Sequence, residues 1–372
     1  MSDILFVTWD GGGNVPPALG IARELQARGH SVRFLGHAGQ ASALTAAGFE
    51  VEPTVHARRF EILSGYTPLA MLGVFADRGM GQDMLAALRR RPADLVVVDS
   101  LMFGAMRAAA DAEVPFVVLE HSYASAYQKG VLGGPMGLNL WLRRLRPRQA
   151  LDRAAARLLT TIPSLDPVAS PPPNQRRIGP VVDVEARQET SRPMVLVSLS
   201  TVAFARMRPS LQAILDATRD LDADVVATTG PAIDPAELVA PPGVELRRFV
   251  PHVELMPRAS LLVGHGGHGT TMQALAHDLP VAVMPMDRLT DQPYVGRSLV
   301  AAGAGRMLRK GAAADRIAPE LAALLADGPH RAAAARLGAE VRSLPGATLG
   351  ADAVEELLRD GASVRDPRAA RQ

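Results

Sequence analysis

A glycine-rich turn that carries a histidine directly follows a short apolar segment in the second half of the chain. Residues 261–263 are aliphatic, the sequence GHGGHGT occupies residues 264–270, and an apolar helical pattern begins at Thr271. Glycines let the backbone approach phosphate oxygens, and the N–H groups of a first helical turn point at a bound anion. The histidine at 265 adds a donor or a positive charge. This segment therefore predicts a diphosphate site.

An acid and an amide stand side by side about twenty residues later. Asp291 and Gln292 follow the strand-like run 281–285. Their side chains offer acceptors and donors that suit sugar hydroxyls. An Asp before a helix is more often an N-cap, but the position one strand after the histidine turn favours binding. Together the two segments predict a site for both halves of a nucleotide sugar.

Two other strand ends in the same half carry candidate ligand groups. Ser200 and Thr201 end the run 194–199, where hydroxyl and backbone N–H groups could reach a phosphate or simply cap the next segment. Phe249 and Val250 follow the run 244–247. Phe249 either packs on a nucleobase or belongs to the core, and the sequence leaves both open.

Polar residues also follow strand-like runs in the first half. Asp10 and Asn14 lie in the loop DGGGN after residues 4–8, which is not the dinucleotide pattern G-x-G-x-x-G. Asp99 directly follows 95–98, and His121 follows 117–119. Asp99 is a candidate to accept a proton, with an N-cap as the alternative. A lone histidine such as His121 is more often structural than functional.

Both halves alternate short apolar strands with helical patterns, which predicts an α/β protein with doubly wound parallel sheets. The segments 52–80 and 122–148 interrupt this alternation and are predicted to be irregular insertions that serve as binding surfaces. The strand predictions of the two halves are 4–8, 31–35, 48–51, 94–99, 115–119, 194–199, 224–228, 244–247, 261–263 and 280–284.

A proline-rich segment divides the 372 residues into two domains of similar size. We expect a first Rossmann-like domain over 1–165, a linker over 166–193 and a second Rossmann-like domain over 194–349, with a last helix at 350–360 that packs back on the first. Ligands in open α/β sheets bind at the carboxyl ends of the strands. The two domains are therefore expected to face an interdomain cleft.

Composition excludes several classes of protein. The chain has no cysteine, so disulfides, thiolate metal sites and a cysteine nucleophile are ruled out. Arginine runs at 89–91 and 143–146 are read as solvated helix faces, not as a nucleic-acid surface. No run reaches the roughly 18 apolar residues of a membrane span. The acid at Asp3 is atypical of a signal peptide. A cytoplasmic location is expected.

The histidine turn and the downstream Asp-Gln pair resemble the donor signature of GT-B-fold family 1 glycosyltransferases. The resemblance covers both domains and is strongest to actinobacterial enzymes that act on natural products of macrolide, polyketide or enediyne type. It implies that the diphosphate contacts His265, assisted by other groups, that Phe249 and Val250 border the base, and that Asp291 and Gln292 hold the sugar. The assisting groups are Gly267, Gly269, Thr270 and Thr201, and Ser200 is a donor candidate from its place at the strand end.

The resemblance also implies the reaction. A sugar, a deoxysugar included, passes with inversion and without metal or cofactor from a UDP- or TDP-sugar to a small hydrophobic acceptor. The acceptor is expected to bind through 58–80 and 121–142 of the first domain. The choice between UDP and TDP stays open, as does the oligomeric state, a homodimer included.

One departure from the family pattern concerns the catalytic base. The family places a histidine after the glycine of a G-H-x-x-P loop, whereas this chain has Asn14 there, and an amide is no base near neutral pH. Asp99 matches the family's partner carboxylate. Asp10, Asp99 or His121 could serve as base, or the acceptor could need only orientation by Asn14. A nucleotide-sugar epimerase and a non-catalytic auxiliary homologue are the alternatives to a transferase.

Overall fold

The computed structural model describes residues 1–62 and 67–365. The chain forms two compact units. Unit 1 contains Met1–Thr161, Val168–Val181 and the segment from Pro345, and unit 2 contains Ile162–Pro167 and Val182–Leu344. The segment predicted as a linker thus contributes residues to both units, and part of it is a strand of unit 1.

The sheet of unit 1 has seven parallel strands in the order β3-β2-β1-β4-β5-β6-β7. The continuous apolar runs predicted as strands are central and buried on both faces, as β4 shows. The order reverses between β1 and β4, which defines a topological switch point at their carboxyl ends. The strands are β1 Asp3–Val7, β2 Ser31–Leu35, β3 Glu50–Glu52, β4 Leu95–Asp99, β5 Phe116–Glu120, β6 Ala156–Leu159 and β7 Gln175–Arg177.

The predicted irregular insertions of unit 1 contain helices, so that prediction was wrong for those parts. Most of 122–148 is helical, and 52–80 contains one helix and the start of another from Pro68 onward. Pro68 and Pro135 stand in first helical turns, where proline is tolerated. The helices are α1 Val15–Ala27, α2 Ala41–Ala46, α3 Pro68–Phe75, α4 Arg78–Arg90, α5 Phe103–Asp111, α6 Ala124–Ala126, α7 Pro135–Leu142 and α8 Pro147–Arg153, with a 3₁₀ turn at Ala38–Gln40 and a π-helical turn at Tyr127–Leu132.

The C-terminal helix, Gly346–Arg365, packs on α1 within unit 1. Its Ala351 and Val354 are fully buried in the same apolar cluster as Ile21 of α1. Arg28 of α1 reaches Asp352 at 2.6 Å. The helix therefore completes the core of unit 1 from the far end of the sequence.

Unit 2 contains six parallel strands in the order β10-β9-β8-β11-β12-β13. With the sheet of unit 1, this confirms the prediction of two Rossmann-like parallel-sheet domains. The strands are β8 Met194–Ser198, β9 Asp224–Thr228, β10 Val244–Arg247, β11 Leu261–Gly264, β12 Val281–Val283 and β13 Gly305–Met307. The helices are α9 Met207–Ala217, α10 His252–Leu255, α11 His268–Ala276, α12 Gln292–Ala301, α13 Ala314–Leu325 and α14 Pro329–Ser343, with 3₁₀ turns at Pro235–Glu237 and Met256–Arg258.

Within residues 1–62 and 67–365, no helix is both long enough and apolar enough to cross a lipid bilayer.

Candidate functional site

Asn14 and Asp99 are brought together at the switch point of unit 1. The Asn14 amide nitrogen donates to Asp99 Oδ2 at 2.8 Å, and it also lies 3.1 Å from Thr8 Oγ1 and 3.0 Å from the Trp9 carbonyl oxygen. These three acceptors fix the orientation of the amide. Asn14 Oδ1 is buried and has no hydrogen-bond partner within the described residues. A buried acceptor of this kind calls for a donor from water or a ligand.

His121 contacts the same carboxylate from the other side. Its Nε2 lies 3.2 Å from Asp99 Oδ2 and 3.3 Å from Oδ1. Asp99 Oδ1 also accepts the Leu101 backbone N–H at 2.8 Å. The Asp99 side chain is only 4% exposed and that of His121 11%. A buried carboxylate thus orients a more accessible imidazole, an arrangement that enzymes use to hold a histidine in one tautomer.

Asp10 contacts a different set of residues. Its Oδ2 accepts the Ile62 backbone N–H at 3.1 Å, and its own backbone N–H donates to His37 Nδ1 at 3.3 Å. These bonds anchor the segment at residue 62 to the loop after β1. Of the four polar residues predicted for this half, Asn14, Asp99 and His121 form one hydrogen-bonded cluster, whereas the hydrogen bonds of Asp10 go to Ile62 and His37.

Aromatic side chains that the sequence analysis did not single out surround this loop. Trp9 packs edge-on against Phe75 with ring centroids 5.0 Å apart, and Phe60 lies 6.1 Å from Trp9 and 5.7 Å from His37. Trp9 Nε1 and His37 Nε2 are buried without a partner in the part of the chain that is described. Burial lowers the pKa of His37, partly offset by Asp77 and Asp10. The imidazole is therefore a neutral N–H donor.

A cavity of about 610 Å³ adjoins Phe60 in unit 1. Apolar and polar side chains both line it, including Val55, Val74 and Arg58. Part of its lining belongs to the predicted acceptor segment 58–80, of which residues 63–66 lie outside the described residues. Its volume is in the range of small-molecule sites, about 300–1,000 Å³.

In unit 2 the histidine turn has the backbone of an anion site. Gly266 adopts a φ of +86°, which favours glycine, and α11 begins at His268 immediately afterwards. A Cβ on Gly267 would lie 2.7 Å from His265 Nε2, so this glycine makes room for the imidazole. A Cβ on Gly269 would meet nothing within 4 Å. The first turn of α11 thus has open space beside its backbone N–H groups.

His265 has a second histidine beside it. Burial, together with the nearby His252, lowers the pKa of His265 to about 4. Burial also lowers the pKa of His252, whose Nε2 lies 3.1 Å from Ser198 Oγ. Ser198 ends β8 and pairs with Gly264 of β11. His265 is therefore neutral near pH 7 and can offer an N–H to an anion. His252 was missed as a site residue, although its place directly after Pro251 at the start of α10 was a usable signal.

The lowered pKa of His265 predicts that the stability of the fold depends on pH. The folded pKa of about 4 lies below the ordinary 6.5, so the unfolded chain binds more protons between these values. The free energy of unfolding should rise with pH across that window, with up to about 3 kcal/mol from His265, and level off above it. Denaturant titrations from pH 4 to 8 measure this. His265→Gln should flatten the profile, whereas the exposed control His56→Gln should not; equal slopes in both variants would contradict the assignment.

The other predicted donor residues lie at neighbouring strand ends. Ser200 Oγ accepts the Val202 N–H at 2.9 Å, and Thr201 is exposed. Phe249 is 70% exposed and does not belong to the core. Asp291 is the N-cap residue of α12, and its side chain makes no cap hydrogen bond.

Gln292 is buried beside the histidine turn. Its Oε1 accepts the backbone N–H groups of Met286 at 2.8 Å and Asp287 at 3.1 Å. A Cβ on Gly266 would lie 3.1 Å from the Gln292 carbonyl oxygen. The Gln292 side chain therefore fixes the loop after β12 through its oxygen, which leaves Nε2 as the atom able to donate to a hydroxyl.

Two family matches cover most of the chain. Residues 12–178 match the glycosyl transferase 4-like domain. Residues 212–357 match the C-terminal domain of the erythromycin biosynthesis protein CIII-like family. The two matches fall largely in unit 1 and unit 2, respectively.

Two curated proteins are similar to this chain. The chain is 28% identical to 4'-demethylrebeccamycin synthase of Lentzea aerocolonigenes, over 95% of this chain and 99% of that protein. It is 32% identical to demethyllactenocin mycarosyltransferase of Streptomyces fradiae, over 47% of this chain and 38% of that protein.

Solved structures share the fold. The glycotransferase of kitacinnamycin superposes with a TM-score of 0.79 at 24% identity, covering 95% of this chain and 98% of that chain. The glycosyltransferase VinC, in complex with dTDP, superposes with a TM-score of 0.73 at 22% identity, covering 97% and 99%. The fold and the matches define the chain as a GT-B glycosyltransferase. Its similar proteins include natural-product enzymes of Lentzea aerocolonigenes and Streptomyces fradiae.

Proposed function

We propose that this enzyme transfers a sugar from a UDP- or TDP-sugar to a small hydrophobic acceptor, with inversion and without a metal. The observation that carries the donor half is the neutral His265 beside the glycine turn at the start of α11. A TDP complex of the related VinC supports a pyrimidine nucleotide.

On the donor side, His265 and the backbone N–H groups at Gly269 and Thr270 bind the diphosphate. The partial positive charge at the N-terminus of α11 offsets part of the negative charge that grows as the leaving group departs. Thr201 assists from the end of β8. These donors supply electrostatic stabilisation of the kind that a metal ion provides in other phosphate sites.

The base and sugar are held by residues on either side of the turn. The exposed ring of Phe249, with Val250 after it, borders the nucleobase. Gln292 and Asp291 bind sugar hydroxyls. Gln292 does so through Nε2, because its Oε1 already accepts the backbone N–H groups of residues 286 and 287. Loss of the sugar contacts should therefore affect discrimination between sugars more than nucleotide binding.

On the acceptor side, His121 is the general base and Asp99 orients it. Asp99 holds the ring through Nε2, and the imidazole takes the proton of the acceptor. The acceptor heteroatom attacks the anomeric carbon as the bond from that carbon to the diphosphate oxygen breaks. A single displacement of this kind inverts the anomeric centre.

Asn14 has a positioning role in this scheme. Its nitrogen holds Asp99, and its unpartnered, buried Oδ1 is an acceptor for the N–H or O–H of the nucleophile. The aromatic group of Trp9, Phe60 and Phe75 supplies an apolar wall for the acceptor skeleton. The base that the family carries at this loop is thus replaced by a base on the loop after β5.

Nucleotide-dependent stabilisation tests the donor half. A ligand that binds only the folded state raises the free energy of unfolding by RT ln(1 + [L]/Kd), about 2.7 kcal/mol at a hundredfold excess over Kd. We expect TDP or UDP to raise the melting temperature, and ADP and NAD to raise it far less. A chain that responds to neither pyrimidine diphosphate does not have the proposed donor site.

A further inference from the structure

Three large apolar side chains project from one face of α7 in unit 1. Leu138, Trp141 and Leu142 are 60%, 65% and 64% exposed. Their spacing of three and four residues puts them on the same side of the helix. Leu140, on the opposite side, is buried, so the helix is anchored by that side. We call the three exposed residues, with the basic residues described next, the α7 surface.

The chain around α7 is basic and contains no acid. Between Glu120 and Asp152 there are five Lys or Arg residues and no Asp or Glu. All five are exposed, and within the described residues none of them forms an ion pair with a carboxylate. They are Lys129, Arg143, Arg144, Arg146 and Arg148. The sequence alone indicated a solvated charged face, but the structure adds the apolar group beside it.

We propose that the α7 surface docks this enzyme on an anionic lipid bilayer. Leucine side chains gain by leaving water for an acyl phase, and tryptophan favours the boundary between the acyl chains and the headgroups. Arginine attracts lipid phosphates. At a bilayer interface the apolar side chains can contact acyl chains while the arginines contact lipid phosphates. Nucleic acid or an acidic peptide would pair mainly with the cations.

The binding would be peripheral. The helix has eight residues, far fewer than the roughly 20 that a spanning helix needs. Short amphipathic helices with basic flanks instead lie in the plane of the interface, and their binding depends on both apolar area and lipid charge. Leu138, Trp141 and Leu142 lie within the segment 121–142 that was expected to bind the acceptor, and the proposal assigns their exposed side chains to a lipid surface instead.

The two tryptophans of the chain provide a direct readout. Trp9 is 6% exposed and Trp141 is 65% exposed, so a change in emission on adding lipid reports chiefly on Trp141. With vesicles of equal parts phosphatidylglycerol and phosphatidylcholine, we expect a blue shift and co-sedimentation of the full chain. Pure phosphatidylcholine vesicles should bind at least tenfold more weakly, and added salt should weaken the binding to anionic vesicles.

Variants separate the apolar and the basic contributions. The pair Trp141→Gln and Leu142→Gln, made together, should lower partitioning at least tenfold, and so should Arg143→Gln with Arg144→Gln. Leu289→Gln and Arg208→Gln are matched controls, because these side chains in unit 2 are 75% and 60% exposed. The controls should bind vesicles as the unaltered chain does. Melting temperature and circular dichroism verify that every variant is folded.

Three outcomes would overturn the proposal. The first is no co-sedimentation with anionic vesicles at low salt. The second is equal partitioning of the α7 variants and their controls. The third is a concentration-dependent dimer of the free chain that the α7 variants abolish without any vesicle binding, which would assign the surface to a second copy.

Discussion

Replacement of His121 by alanine is expected to lower kcat by about 10²–10⁴-fold, the usual contribution of a general base. Asp99 holds the His121 ring from Nε2, and Asn14, at the other side of Asp99, has no basic atom near neutral pH. Removal of the imidazole therefore removes the proton acceptor and leaves the carboxylate in place. The measurement is release of nucleoside diphosphate from the donor with a panel of phenol, alcohol and amine acceptors.

Asp99→Asn is the companion variant and should cause a loss of similar size. An amide at this position can donate to the imidazole and so favour the wrong tautomer, while its shape preserves the packing. Asp10→Asn is the matched control, because Asp10 bonds to Ile62 and His37 instead. We expect that control to lose less than tenfold in kcat, and all three variants to keep the stabilisation by TDP.

The pattern of losses decides between the possible bases. If Asp99 itself took the proton, Asp99→Asn would abolish turnover and His121→Ala would cost little. If the acceptor needed only orientation, both variants would lose little, and Asn14→Leu would lose more than either because it removes the unpartnered Oδ1. Strong losses on alcohols combined with weak losses on phenols would support His121 as the base, because phenols ionise more readily.

The alternation of strands and helices was predictable from the sequence because parallel strands are continuous apolar runs. The ten predicted strands all correspond to strands of the two sheets within a few residues. The strands β6, β7 and β13 were not predicted, because they are short and Arg157, Gln175 and Arg306 interrupt their apolar character. The helices at Pro68–Phe75 and around 124–142 lie in segments predicted as irregular insertions, and they contain glycine and proline, which are poor helix formers.

The candidate site was partly predictable for the same reason. Residues that follow central strands lie at one edge of a parallel sheet, and the sequence places Asp99, His121 and the loop with Asn14 after such strands. The orientation of the Asn14 amide depends on three acceptors, one of them 85 positions away, and no local pattern encodes it. His252 pairs with Ser198 across 54 positions, and Trp9 packs with side chains far along the chain, so these residues emerged only from the fold.

The structure also changes how the substitution at Asn14 is understood. By sequence, an amide where the family carries histidine suggests a lost base. In the structure that amide occupies the hydrogen-bonding position on Asp99, while His121 approaches the same carboxylate from β5. The carboxylate is thus oriented toward two partners at once. The proposed base at His121 would supply the proton acceptor that Asn14 lacks, which favours a transferase over an auxiliary homologue that keeps the donor site without chemistry.

His265→Ala is expected to have the second large effect, on the donor side. It removes the N–H that we propose to contact the leaving diphosphate, and loss of one such donor costs about 10²–10³-fold in kcat, or about 2.7–4 kcal/mol. Because the contact also exists in the bound ground state, TDP affinity measured by calorimetry should fall by about tenfold or more. The remaining binding comes from the backbone N–H groups at the start of α11.

The control for His265 is another histidine of unit 2. His330 accepts from Arg306 and contacts the Gly303 carbonyl oxygen, away from the glycine turn, so His330→Gln should keep TDP affinity within about twofold. His265→Gln is informative as well, because its amide retains an N–H donor and should recover part of the lost affinity. Unchanged TDP affinity and turnover in His265→Ala would remove the diphosphate assignment and leave the glycine turn as a packing feature around a buried ring.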